Sequence, residues 1–194
     1  MKLALFDFDG TITTHDSYRD FLLFVAGKLR FAMLIMRLSP WLIAWLTGLA
    51  DNQSVKQKTT AMFIGGMRRE RFDELARAFV KQKLGAIVRP AALEKIRWHK
   101  NQGHRVIVVS ASFTDYLKFW CAEHELEVLS TRLEEIDGCL TGRFATPNCF
   151  GPEKVRRIRE LLCLEDYETI YAYGDSRGDR EMLEIAHEKG YRVF

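Results

Sequence analysis

Three short polar clusters in this 194-residue sequence carry side chains that can bind a cation and transfer a group. Asp7 and Asp9 lie two residues apart, so a regular strand would point both carboxylates to one face, where they repel unless a cation or a proton holds them. A small hard cation such as Mg²⁺ prefers oxygen ligands. The sequence therefore predicts a Mg²⁺ site that includes Asp7, Asp9, Asp175 and Asp179. The clusters are Asp7-Phe8-Asp9-Gly10-Thr11, Ser110-Ala111-Ser112 and Gly174-Asp175-Ser176-Arg177-Gly178-Asp179.

Cationic and neutral donors elsewhere in the sequence suit an anionic substrate. Lys154 follows Gly151-Pro152 near the start of a predicted helix, where its ammonium group can lie beside both Asp7 and a phosphate group. Ser110 comes directly after a predicted strand, and its hydroxyl can donate a hydrogen bond to phosphate oxygens, as can loop amides such as that of Ala111. These donors favour a phosphomonoester as the bound anion.

Strands that alternate with helices must bring the clusters together. Parallel strands separated by helices end at one edge of a sheet, and ligands bind at that edge. The sequence predicts an α/β fold with a Rossmann-like parallel sheet. The predicted strands are residues 2–8, 105–109, 169–173 and 191–194, and the predicted helices are residues 90–101, 113 onward, 151–162 and 180–189.

Two further segments are predicted outside this alternation. Residues 17–85 are helical throughout, with breaks near Gly27, Ser39-Pro40, residues 48–52 and Gly65-Gly66, and residues 68–83 have the apolar spacing of one helix face. Residues 127–144 alternate apolar and polar side chains around Asp137-Gly138, which predicts a small β-hairpin.

The motifs together resemble those of the haloacid dehalogenase superfamily of phosphatases. The DxDGT sequence at Asp7, the strand-terminal Ser110, Lys154 and the GDxxxD sequence at Gly174 follow in that family's order and bracket almost the whole chain. A helical insert between the first two motifs is similar to that of the phosphoserine-phosphatase-like branch, subfamily IB. The resemblance implies a catalytic core at residues 1–14 and 86–194 and a helical cap domain at residues 15–85.

The resemblance also implies a role for each motif residue. Asp7 would be the nucleophile that forms an aspartyl-phosphate, and Asp9 would protonate the leaving alcohol and then activate water. Asp175 would bind Mg²⁺ together with Asp7 and the Asp9 carbonyl, and Asp179 would bind or orient a ligand. Thr11 and Ser110 would hold the phosphate, and Lys154 would neutralise its charge. The Ser176-Arg177-Gly178 loop departs from the glycine- and asparagine-containing loop of phosphoserine phosphatases.

Asp16 bears on the substrate. Phosphoserine phosphatases resemble each other in placing a glutamate at this distance from the nucleophile, where it meets the substrate amine. A carboxylate facing the pocket would favour a small, amine-bearing phosphorylated metabolite. Asp16 and Ser17 equally suit an N-cap of the first cap helix, and Ser112 and Thr114 suit a cap of the helix that follows them.

Residues 21–50 are unusually apolar and leave two alternatives open. The longest uncharged part, residues 38–50, is shorter than the roughly 20 residues that span a membrane, so a buried helical hairpin or a membrane-surface segment is expected. A similar hydrophobic cap occurs in phosphatidylglycerophosphate phosphatases, which makes a lipid phosphate the alternative substrate. A catalytically retired binding protein is the other alternative, which the intact set of acids disfavours.

Composition excludes several functions. A net charge of +3, spread along the chain, does not predict nucleic-acid binding, and the four widely spaced cysteines predict neither a metal site nor disulfides. The acidic DFDG sequence directly after residues 2–6 is not that of a secretion signal. A cytoplasmic enzyme, peripheral at the membrane if residues 21–50 bind there, is expected.

Overall fold

The computed structural model describes the backbone of residues 1–194 and every side chain except that of Asn52. Seven strands form a five-stranded parallel sheet, ordered β3-β2-β1-β6-β7, and a separate β4-β5 hairpin. The strands are β1 Lys2–Phe6, β2 Arg105–Phe113, β3 Glu127–Thr131, β4 Leu133–Ile136, β5 Cys139–Phe144, β6 Thr169–Gly174 and β7 Glu188–Tyr191. The helices are α1 Ser17–Ala26, α2 Lys28–Leu46, α3 Asn52–Ile64, α4 Arg69–Gln82, α5 Pro90–Asn101, α6 Thr114–Glu123, α7 Pro152–Leu161 and α8 Arg180–Glu184.

Alternate side chains of the central strand β1 face opposite sides of the sheet. Leu3 and Leu5 lie in a core with Ile158 of α7 and Met182 of α8. Ala4 and Phe6 lie in the core on the other face, with side chains from α5, α6 and the helices α1 to α4. Burial on both faces explains the continuous apolar sequence of β1. The predicted α/β class with a parallel sheet, helical insert and small hairpin is confirmed.

The helices α1 to α4 leave and rejoin the sheet through two adjacent linkers. Thr13 pairs with Val88 in an isolated antiparallel bridge, and the Thr14 amide donates to the Ile87 carbonyl at 2.8 Å. Phe21 of α1 contacts Phe72 and Phe79 of α4 edge-on, with ring centroids 5.3 Å apart in both pairs. The helices therefore share an aromatic core, and the division into cap and core at residues 15–85 stays a prediction.

Two strand predictions are wrong. Residues 127–131 do not belong to the hairpin, because β3 pairs in parallel with β2 as an edge strand of the main sheet. The last strand is Glu188–Tyr191, not 191–194, and α8 ends at Glu184. Both strands lie at sheet edges and carry exposed polar side chains, so they lack the apolar pattern of β1.

The expected helix break at Ser39-Pro40 is also absent from the structure, because α2 runs unbroken from Lys28 to Leu46 with Pro40 inside it. A proline removes one helical hydrogen bond, which here would go to the carbonyl of Met36. Pro40 and Met36 are both exposed, so water can reach that carbonyl. Position on the solvent side of the helix explains why the proline is tolerated.

Candidate active site

Asp7 lies at the carboxyl end of β1, the middle strand of the sheet. Its backbone amide donates to the Tyr173 carbonyl at 2.9 Å, which fixes the residue beside β6. One carboxylate oxygen, Oδ2, accepts a hydrogen bond from the Thr11 hydroxyl at 3.0 Å. The side chain is almost fully buried, with 6% of the residue exposed. Asp7 is thus fixed at the edge of the sheet where parallel α/β sheets bind their ligands.

Lys154 reaches from α7 to two acids that follow different strands, Asp7 after β1 and Asp179 after β6. Its Nζ donates at 2.6 Å to Asp7 Oδ1, at 2.6 Å to Asp179 Oδ1 and at 2.7 Å to the Val109 carbonyl. Only 1% of the residue is exposed. Burial alone would lower the pKa of Lys154, but Asp7 and Asp179 raise it above its usual value, so the ammonium group stays charged.

Lys154 supplies one positive charge near three acids, Asp7, Asp175 and Asp179, and the pKa values of the acids reflect this imbalance. Burial raises the pKa of Asp7 to about 7 despite the opposing charge of Lys154. Burial and the charge of Asp179 raise the pKa of Asp175. Asp179 is the exception, because Lys154 and the Ser176 donors outweigh burial and bring its pKa below the usual range. Asp7 and Asp175 are therefore the carboxylates whose ionised forms a further cation would stabilise.

The donor set of these acids fits Mg²⁺. One carboxylate oxygen from each of Asp7, Asp175 and Asp179 lies within 4.8 Å of the others. Gly10 makes room for this arrangement, because a Cβ atom there would lie 2.4 Å from Asp175 Oδ2 and its φ of +85° suits glycine. Several carboxylate oxygens around one point are the ligands that a hard cation prefers.

Both carboxylate oxygens of Asp179 already accept hydrogen bonds from the protein. Its Oδ1 accepts from Lys154 at 2.6 Å, and its Oδ2 accepts from the amides of Asp175 and Ser176 at 3.2 and 3.0 Å and from the Ser176 hydroxyl at 2.9 Å. These bonds favour a positioning role for Asp179, in which it orients Lys154 and the loop that carries Asp175.

The Asp9 carboxylate lies apart from this acid group. Its Oδ1 accepts from the Ser17 amide at 2.7 Å and the Ser17 hydroxyl at 2.5 Å, and its Oδ2 accepts from the Ser112 hydroxyl at 2.5 Å. The Tyr116 hydroxyl lies 2.9 Å from that of Ser17. Both Asp9 oxygens are therefore held by hydroxyl groups, which can donate to a carboxylate or accept from a carboxylic acid.

The predicted phosphate-binding residues lie close to these acids. Thr11 bonds to Asp7 through its hydroxyl. Ser110 is completely buried inside β2, which extends past it to Phe113, and its hydroxyl accepts from the Ser112 amide at 3.0 Å. The Ala111 carbonyl faces the helical insert, where it accepts a hydrogen bond from Lys56 Nζ at 2.8 Å.

A cavity of about 730 Å³ lies between this end of the sheet and the helices α1 to α3. Its floor is polar and includes Asp7, Asp9 and Lys154, and apolar side chains of α2 and α3 contribute to its opposite wall. The lining residues on that wall include Ile35, Leu42, Trp45 and Val55. The cavity thus joins an ionic end to an apolar end.

Asp16 and Lys56 place opposite charges on the cavity wall. Asp16 caps α1, with Oδ1 accepting from the amides of Tyr18 at 2.8 Å and Arg19 at 3.3 Å, and it also lines the cavity. The N-cap interpretation of Asp16 is therefore confirmed. Burial lowers the pKa of Lys56, which lies 4.9 Å from the centre of the Tyr18 ring.

Several polar residues near the acids have roles that the sequence does not reveal. Ser112 and Thr114 do not cap α6, whose N-cap is Phe113. Ser112 instead bonds to Asp9, because β2 runs on through it. No sequence signal marks Lys56 or Tyr116, since each reaches the cavity only through the packing of α3 or α6. Ser17, predicted only as a helix cap, contacts Asp9 through its hydroxyl.

Comparisons with known proteins find similar sequences and similar folds. The sequence model of haloacid dehalogenase-like hydrolases matches residues 4–184. Protein CicA of Caulobacter vibrioides is 37% identical over 196 residues, covering 99% of this chain and 86% of that protein. A Bordetella pertussis protein of unknown function superposes with a TM-score of 0.86 at 22% identity, over 97% of this chain and 88% of that chain. A phospho-aspartyl intermediate analogue of phosphoserine phosphatase superposes with a TM-score of 0.68 at 21% identity, over 99% and 88%.

Proposed function

Because the chain belongs to the haloacid dehalogenase-like hydrolase family, the resemblance seen in the sequence is confirmed, and we propose that the protein is a Mg²⁺-dependent phosphatase whose nucleophile is Asp7. The observation that carries this proposal is the contact of Lys154 Nζ with both Asp7 and Asp179 at 2.6 Å, on the floor of the cavity. A structural neighbour described as a phospho-aspartyl analogue supports an aspartyl-phosphate as the intermediate.

In the first step an Asp7 oxygen attacks the phosphorus atom of a phosphomonoester. A bond forms between that oxygen and phosphorus while the bond from phosphorus to the leaving alcohol breaks. Lys154 and Thr11, each bonded to an Asp7 oxygen, hold the carboxylate for attack, and the positive charge of Lys154 stabilises the transferring group. Asp9, in its protonated form, gives its proton to the leaving oxygen.

In the second step Asp9 acts as a base, and the phosphoryl group moves from Asp7 to water. The Asp9 carboxylate takes a proton from water, the water oxygen attacks phosphorus, and the bond to Asp7 breaks to release phosphate. Ser17 and Ser112 keep Asp9 in place in both steps, because their hydroxyls can match either protonation state. Catalysis thus depends on two carboxylates that are held by different partners.

Mg²⁺ would be held by the carboxylates of Asp7 and Asp175, with the Asp9 carbonyl as a third ligand by family resemblance. When bound it neutralises the charge of the phosphate and the acids. Asp179 keeps Lys154 and the Asp175 loop in position through its hydrogen bonds to both. Lys154 in turn opposes the rise in the pKa of Asp7 that burial causes, and so favours the ionised form that attacks.

The cavity accepts a leaving group larger than a simple alcohol, and its walls fit two classes. An amine-bearing metabolite would place its cation near Asp16, although one Asp16 oxygen already caps α1. An apolar leaving group would lie along Ile35, Leu42 and Trp45. The protein is proposed to act in the cytoplasm on a phosphorylated small molecule and not on nucleic acid.

Release of phosphate from p-nitrophenyl phosphate tests the proposal. The wild type should turn over with Mg²⁺ and stop when the metal is chelated. Asp7→Asn should fold with an unchanged circular dichroism spectrum and lose turnover, whereas the exposed Asp166→Asn should behave as the wild type. Normal turnover by Asp7→Asn would refute the proposed function, and activity in neither wild type nor control would favour a retired binding protein.

A further inference from the structure

Helix α2 carries an exposed apolar stripe along its whole length. Leu29, Met36 and Ile43 are 77%, 74% and 59% exposed, a degree that is unusual for large apolar side chains. Members of the stripe follow one another at alternating steps of four and three residues, so they share one side of the helix. The stripe consists of Leu29, Met33, Met36, Pro40 and Ile43.

The charged side chains of α2 are all positive. Residues 21–50 contain no aspartate or glutamate, and their cations are Lys28, Arg30 and Arg37. At roughly 100° per residue, these three side chains lie about 80–100° to either side of Leu29. An apolar face flanked by basic residues is typical of a helix that lies in the plane of an anionic lipid surface.

The stripe lies on the same helix that closes the cavity. Ile35, Leu42 and Trp45 of α2 line the cavity, and Trp41 and Trp45 remain 40% and 44% exposed. At roughly 100° per residue these lining side chains lie on the side of α2 away from the stripe, so a surface bound by the stripe would be separated from the apolar end of the cavity by one helix diameter, about 10 Å.

We propose that α2 docks in the plane of an anionic lipid bilayer, with the stripe at the acyl boundary and the three cations among the headgroups. The cavity then receives phosphomonoester lipids, whose acyl part lies along Ile35, Leu42 and Trp45 while the phosphate reaches Asp7. The substrate part of this inference rests on the proposed function, and the docking part does not.

The structure disfavours two other arrangements of α2. Its length and composition would allow it to cross a membrane, but Leu38 on its inner side is fully buried and Phe31 contacts Phe63 of α3 at 5.4 Å between centroids. Crossing would expose this core. Pairing with the same stripe of a second copy would bring six cations together without an acid on either helix, which is unfavourable.

Flotation with vesicles tests the docking. Wild type should float with phosphatidylcholine vesicles that contain phosphatidylglycerol, bind pure phosphatidylcholine less, and be released by salt. The double variant Met36→Glu/Ile43→Glu should lose at least about tenfold in partitioning, because it puts charge at the acyl boundary. The matched control is Ile136→Glu on the β4-β5 hairpin, where the isoleucine is 57% exposed, and it should bind as the wild type does.

Neither Met36 nor Ile43 lines the cavity, so the double variant should keep p-nitrophenyl phosphate turnover. Asp7→Asn should float normally, which separates docking from catalysis. Wild type that stays in the soluble fraction, a double variant that floats equally well, or a dimer lost only in the double variant would overturn the docking. Equal kcat/KM on glycerol 3-phosphate and its acylated form in vesicles would overturn the lipid substrate.

Discussion

Replacing Lys154 by methionine removes the positive charge that touches both Asp7 and Asp179 while keeping most of the side-chain volume. The lysine is 1% exposed and its ammonium group makes three bonds of 2.6–2.7 Å. Removing one partner of a buried ion pair costs about 3–5 kcal/mol, because the remaining charge is left without compensation. We therefore expect the free energy of unfolding to fall by about that amount at pH 8.

The decrease in the free energy of unfolding caused by Lys154→Met should be smaller at lower pH. Asp7, with its pKa raised to about 7, is protonated at pH 5 and no longer adds a charge that needs Lys154. Asp179, with its pKa lowered chiefly by Lys154, stabilises the wild type above the ordinary value of 3.8 and loses that contribution as pH falls through its folded pKa. In the variant Asp179 takes up a proton more readily, so it escapes part of the cost of burial.

Equilibrium urea unfolding, followed by tryptophan fluorescence at pH 5 and pH 8, measures both effects. Lys118→Met is the matched control, because Lys118 is 40% exposed and pairs with Asp73 at 3.5 Å. Such a surface pair contributes at most about 1 kcal/mol. Two results would refute the proposed interaction of Lys154 with Asp7 and Asp179. One is a loss of unfolding free energy in Lys154→Met no larger than in the control, and the other is a difference from the wild type that grows toward pH 5.

Three further changes probe other parts of the site. Ser112→Ala removes a 2.5 Å bond to Asp9 and should lower kcat about 10–100-fold with little change in KM; an unaltered kcat would exclude this positioning role. Lys56→Met should raise KM for anionic substrates several-fold, whereas Lys58→Met, on the same helix but over the Trp41 ring, should not; equal effects would contradict a role in the cavity. Mg²⁺ affinity, measured by calorimetry at pH 6 and pH 8, should weaken as pH falls below about 7, because Asp7 must lose a proton to bind; a pH-independent affinity would argue against Asp7 as a ligand.

The core of the site follows from local sequence patterns and one rule of topology. Asp7, Lys154 and Asp175 come from distant parts of the chain, but each lies in or beside an element that the sequence pattern identifies. Parallel strands end at one edge, so their convergence is predictable from the sequence alone. The Asp137-Gly138 turn is equally predictable, because it requires positive φ at both residues, here 50° and 73°.

The surroundings of Asp9 are not predictable in the same way. Ser112 faces Asp9 only because β2 continues to Phe113, and Lys56 reaches the Ala111 carbonyl only because α3 packs over that strand. These contacts depend on how helices of the insert pack on the sheet, which no local pattern specifies. The continuity of α2 through Pro40 likewise depends on which side of the helix meets solvent.

Asp7 as the acceptor of the phosphoryl group and Asp9 as the base of the second step are the two roles on which the mechanism depends. Asp9→Asn tests both at once with p-nitrophenyl phosphate, whose leaving group needs no proton. The variant should release about one nitrophenolate per enzyme molecule and then stall, and mass spectrometry after acid quenching should place the phosphoryl group on Asp7. Continued turnover by the variant, or a phosphoryl group on any other residue, would contradict the mechanism.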